Sequence, residues 1–145
     1  MDLAQALSHL ARETGSEGPL VPDADGRVRL AFADGLDMVL IPAGRGRLVA
    51  EVGLGDLPAA APAQREERLR LVLGRSLAAM REAEEVLALD GGGRLTLWRH
   101  LDLPALSPAG LGEAVAGLLD RAEWLRAEPA QAATPRPAGP LLFFP

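Results

Sequence analysis

Cysteine, lysine and tyrosine are all missing from this chain, and each absence closes off some chemistry. Without cysteine there is no disulfide, no thiolate nucleophile and no cysteine-built zinc site. That leaves the redox compartment open with a lean to the cytosol, so the expected localisation is cytoplasmic. All 15 basic residues are arginine, and the net charge is −5. No basic face is clustered, so nucleic acid is not expected as a partner, because neutralised phosphates supply most of that affinity. Aromatic residues make up only 3%, too few for a base-stacking platform. No apolar run approaches the length needed to cross a bilayer, so membrane insertion is not expected either. The opening "MDLAQALSHLARETG" has no basic stretch followed by a long apolar run. It reads as a helix, not as an export signal.

What is present suits one soluble domain with a real core: 145 residues, 48% apolar and 24% charged. Leu3, Leu7, Leu10 and Ala11 recur at helical spacing, and Gly15 follows as a stop signal. After the turn-rich "EGPLVPDADG" the period changes. "RVRLAFA" alternates, with Val28, Leu30 and Phe32 on one face. "LDMVLIP" and "LVAEVGLG" are the next two strands, joined by short turns into an antiparallel meander. A long helix is expected from Gln64 to Val86, with Leu69, Val72, Leu73, Leu77 and Met80 on one stripe and Leu71 off it. "VLALD-GGG-RLTLWRHL" reads as a hairpin. Its second strand puts Leu95, Leu97 and Leu101 on one face, interrupted by Arg99, and Trp98 and His100 on the other. Ser107 and Pro108 then start a last helix, with Leu111, Val115, Leu118, Ala122 and Leu125 facing inward and Pro129 closing it. The order is α-β-β-β-α-β-β-α, an α+β domain with one antiparallel sheet packed by helices. Residues 1–127 form that domain. Residues 128–145 shift to Pro and Ala and then run into "LLFFP".

Constellations that could carry catalysis are scarce. His9 and His100 sit on different elements, and no spacing makes a metal pair. Glu82, Glu84 and Glu85 beside Arg81 read as a solvated face. Neither Ser76 nor Ser107 lies in a nucleophile elbow. Gly91–Gly93 lack the Lys-Ser/Thr that a phosphate cradle requires. Trp98-Arg99-His100 has no nucleophile or second acid-base group converging on it, and reads as a strand with amphipathic side chains. No catalytic residue, metal or cofactor is expected, and the protein is not read as an enzyme.

The element order and several phrases resemble the type III secretion chaperones of the Tir-chaperone (class I) family. These phrases are "GPLVPDADGRVRLAF", "EVGLGDLP" and "REAEEVLALDGGGRLTLWRHLDLPALSPAGLGEAVAGLLDRAEWLR". One departure is in the middle helix, where "VLGRSLAAM" stands in place of the family's frequent Asn-Gly. The resemblance covers roughly residues 1–127. It implies a non-enzymatic homodimer that binds the N-terminal region of one or a few secreted effectors, with the ATPase of the secretion apparatus as a further partner. The effector segment would lie extended, its apolar side chains in surface grooves and some of its backbone added to a sheet edge. On that reading the dimer forms around Leu69, Leu73, Leu77 and Met80. The effector contacts come from Leu3, Leu7, Leu10, Val28, Leu30, Val39, Leu97 and Trp98, for most of which a plain core role is the competing reading. The tail lies outside the resemblance; its "LLFFP", with four large apolar residues after a Pro/Ala spacer, is expected to occupy an apolar groove of its own or a neighbouring protomer. A scaffold or regulatory domain of the same fold, binding a folded protein with no part in secretion, stands beside this reading.

Overall fold

Alternation and capping act first. In the computed structural model, which describes residues 1–32, 35–57, 61–79, 81–82 and 84–126, Asp2 caps helix α1 (Leu3–Glu13). Its Oδ1 accepts the Gln5 N–H at 2.8 Å, and Gln5 Oε1 accepts the Asp2 N–H at 3.0 Å, a reciprocal capping box. Three strands follow: β1 (Val28–Ala31), β2 (Asp37–Pro42) and β3 (Arg47–Asp56). Then come α2 (Pro62–Ala79), β4 (Val86–Leu89), β5 (Arg94–Asp102), a short 3-10 turn (Leu103–Ala105) and α3 (Pro108–Arg126). This is the expected order. α3 starts as the Ser107-Pro108 pair suggests, with Ser107 Oγ accepting the Gly110 N–H at 3.0 Å.

All five strands form one antiparallel sheet in the order β1-β2-β3-β5-β4. The chain therefore returns from α2 to lay β4 on the edge, and β5 closes against β3. The β2–β3 turn needs its glycines. Gly44, Arg45 and Gly46 all have positive φ, and a Cβ on Gly46 would meet Pro104 at 3.1 Å. That contact seats the 3-10 turn, whose Leu103 N–H donates to the Gly46 carbonyl at 3.1 Å.

The sheet has two unlike faces. Val28, Leu30, Met38, Leu40, Leu48, Ala50, Val52, Leu95, Leu97 and Leu101 are buried on the inner face. Above them lie Leu111, Ala114, Val115, Leu118, Ala122 and Leu125 of α3, joined by Ala6, Leu7 and Leu10 of α1. Each fully buried leucine contributes roughly 1.5–3 kcal/mol relative to exposure, so this layer holds the domain together. On the outer face, Arg29, Val39, Glu51, Trp98 and Val86 are register partners in one row across the five strands.

One element departs from its expected bounds. α2 ends at Ala79, not Val86, and Val86 opens β4 opposite Trp98. "REAEE" is good helix-forming sequence, but Glu84 and Glu85 are taken by a tertiary partner. The Arg99 guanidinium bonds Glu84, and its Nη1 lies 3.6 Å from Glu85 Oε1. The chain must be extended by Val86 to pair with β5, and that tertiary ladder overrides local propensity there. Met80, the expected close of α3 at Pro129, and the whole 128–145 segment with its LLFFP motif lie outside the described residues.

Candidate functional site

α1 is built to bury one side and offer the other. Leu7 and Leu10 point into the core, and Leu10 is fully enclosed. Leu3 is half-buried at its flank. Beside it runs the segment leading to β1, and the two enclose an apolar groove of about 450 Å³ lined by Leu3, Leu7, Ala11, Pro19, Leu20 and Pro22. The start of α1 is tied down, because the Met1 ammonium donates to the Leu103 carbonyl at 3.0 Å. The other end lies against α3, where the Glu13 carboxylate covers Gly112 so closely that a Cβ would meet it at 2.7 Å. His9 Nε2 approaches Glu13 Oε1 at 3.4 Å on the same helix.

The expected contact residues divide. Leu3 and Leu7 line the groove. Leu10, Val28, Leu30 and Leu97 lie in the core beneath α1 and α3, with at most 4% of their surface exposed, and offer nothing to a partner in the single chain. Val39 and Trp98 belong to the opposite side of the sheet, in one row with Glu51 between them. The Trp98 ring meets the His100 ring edge-on, with centroids 5.0 Å apart. Two surfaces therefore stand where one was expected: a groove at α1 and a mixed row on the outer sheet face, in which Val39, Trp98 and Val86 stand with Arg29 and Glu51.

A third surface is α2. Only Val72 is buried. Leu69 is partly buried, while Leu73 and Leu77 are 55% and 69% exposed. The helix is fastened to α3 largely by arginines. Arg68 Nη2 donates to the carbonyls of Leu125 (3.4 Å) and Arg126 (3.1 Å), and Arg75 Nη1 donates to that of Trp124 at 2.8 Å. These carbonyls lie in the last described turn of α3, the negative end of its dipole, where cations of a neighbouring helix are favoured. Arg75 and Arg121 also stand 5.7 and 5.5 Å from the centre of the Trp124 ring.

Sequence reasoning missed Trp124, Val86 and Leu89, all large apolar residues left exposed. Trp124 lies off the inward stripe of α3 and could have been read from that. The exposure of Val86 and Leu89 depends on β4 being an edge strand, which no local pattern encodes.

Chemistry has little foothold. A polar cleft of about 290 Å³ on the sheet mixes Arg29 and Arg94 with Asp37, Glu51 and Asp90, charges of both signs. Among the described residues, no three His, Cys, Asp or Glu side chains are grouped so as to hold a metal ion. No described helix is long and apolar enough to cross a membrane. The arrangement is suited to receiving apolar side chains.

The fold has close counterparts among solved structures. The chain is similar to one in the crystal structure of the ExsC–ExsE complex, with 23% identity, TM-score 0.67, and coverage of 87% of this chain and 95% of that one. It is also similar to one in the HopA1–SchA chaperone–effector complex, at 22% identity and TM-score 0.64, covering 84% and 91%. A third likeness is to the heterodimeric ExoU–SpcU complex from the type III secretion system of Pseudomonas aeruginosa, at 22% identity and TM-score 0.61, covering 86% and 94%. No curated protein matches the chain. Residues 5–126 match the Tir chaperone protein (CesT) family, and the chain belongs to that family.

Proposed function

We propose that this protein is a type III secretion chaperone that binds the extended N-terminal segment of one or a few effectors and keeps it competent for export. The observation that carries the reading is the apolar groove beside α1, preformed and open on an acidic domain. Apolar anchors of an extended peptide fill such a groove without any chemistry being performed. Family membership and the chaperone–effector complexes among its structural counterparts support it.

In this reading the working unit is a cytoplasmic two-fold homodimer. Leu69, Leu73 and Leu77 of α2 supply its interface, and Met80 extends the same stripe in sequence. A closed pair is the commonest way to cover such a face. Leu3 and Leu7 anchor the effector in the groove, with Trp98 and Val39 as a second contact on the sheet. The secretion ATPase would meet the loaded complex, and no substrate is turned over.

Purification of the complex from the native bacterium, followed by limited proteolysis, tests this. The expected result is a stoichiometric partner protected only over an N-terminal segment that has no fold of its own. A partner bound through a folded domain would overturn the export reading in favour of a scaffold.

A further inference from the structure

The α1 groove and the sequence that follows α3 are complementary. We propose that Leu141, Leu142, Phe143 and Phe144 dock into that groove on their own chain, so that the site is self-occupied until a partner displaces them. Four consecutive large apolar residues follow a spacer containing Pro129, Pro135, Pro137 and Pro140. Residues 138–145 carry no charge, as suits a groove whose lining is almost wholly apolar.

The reach suffices. α1 lies along the first part of α3, as the Met1–Leu103 bond and the Glu13–Gly112 contact fix it. A segment leaving Arg126 must therefore travel back about the length of α3, whose 19 residues span roughly 28 Å. Residues 127–140 supply fourteen spacer positions, which reach about 43 Å at polyproline extension. A second groove of about 340 Å³, between α1 and α3, is smaller and has the Glu13 carboxylate in its lining, so it suits an uncharged segment less well.

Tethering makes weak docking effective. A short linker presents its segment at about millimolar concentration. With an intrinsic Kd of about 100 µM, the segment would fill the groove to about nine-tenths and weaken any competitor about tenfold. In its regulatory consequence this inference rests on the groove being the effector site.

Two measurements on the full chain test it without any effector. The first titrates a fluorescein-labelled AGPLLFFP peptide, residues 138–145, against the wild type and a variant with Leu141, Leu142, Phe143 and Phe144 all changed to Ser. About tenfold tighter binding to the variant is expected, and equal affinity would overturn the proposal. The second exploits the absence of cysteine. Leu20→Cys with Phe143→Cys should oxidise to a bond within one chain at least about tenfold faster than Val49→Cys or Leu77→Cys paired with Phe143→Cys. Equal rates, or bonds only between chains, count against docking in cis. Failure here leaves the chaperone reading intact, whereas a protein that crosslinks as expected yet captures no effector would sink that reading alone.

Discussion

Helices α2 and α3 are nearly equal in length, 18 and 19 residues, and are used in opposite ways. α3 buries six residues against the sheet and α1, while α2 buries Val72 alone and leaves Leu73 and Leu77 in water. A helix that buries so little is held by its tertiary attachments and not by its own propensity. Its attachments here are the packing of Val72 and Leu69 and the Arg68 and Arg75 bonds to the end of α3. The contrast separates two tasks. α3 makes the single chain stable, and the outward stripe of α2 is surface available to a second chain.

The contrast can be broken most severely from the α3 side. Leu118 is fully buried, and Leu118→Ala should cost about 2–5 kcal/mol in urea denaturation. A loss under 1 kcal/mol would mean that α3 is not the stabilising layer. On α2, Leu73→Asp places a charge in the proposed pairing stripe. It should raise the dimer dissociation constant by more than about a hundredfold, read by analytical ultracentrifugation, while far-UV circular dichroism stays unchanged. A wild type that sediments as a monomer at micromolar concentration would refute the pairing role outright. Arg68→Ala removes two of the bonds joining the two helices and leaves that of Arg75. A loss of about 1 kcal/mol is expected, seen as a drop of about 3 °C in Tm. The smallest effect belongs to Arg70→Ala. Its 2.6 Å pair with Glu66 is exposed on both sides, so the change should stay under about 0.5 kcal/mol in the same melt.

Much of the fold was legible because the inner strand positions alternate cleanly. Val28 and Leu30 face Leu40 and Met38, as the period of two requires. The same period failed to separate Val39 from Val28. β2 is apolar on both faces, with Leu36, Met38 and Leu40 buried and Val39 and Ile41 half-buried behind them, so local pattern alone could not say which face met the core. The end of α2 was hidden for another reason. Arg99, read as an interruption of an apolar face, is the ion-pair partner of Glu84 and Glu85, and both that pairing and the β4 ladder exist only once β5 lies in the sheet. Of the site, Leu3 and Leu7 were readable as one helix flank. The groove was not, since its other wall comes from Pro19, Leu20 and Pro22 in a stretch with no periodicity.

The arginine bonds between α2 and α3 have a consequence for motion. A hydrogen bond that opens can be replaced by one to water, whereas a packed leucine cannot leave its layer without opening a void. Lifting α2 withdraws Val72 and the partly buried Leu69 from the packed layer, against six buried residues for α3, so α2 should open at a lower free energy than the sheet and α3. Its backbone amides should take up deuterium well before those of α3 in the isolated chain. The gap between the two helices should close on pairing, which makes the timing of exchange in α2 a direct clock for assembly.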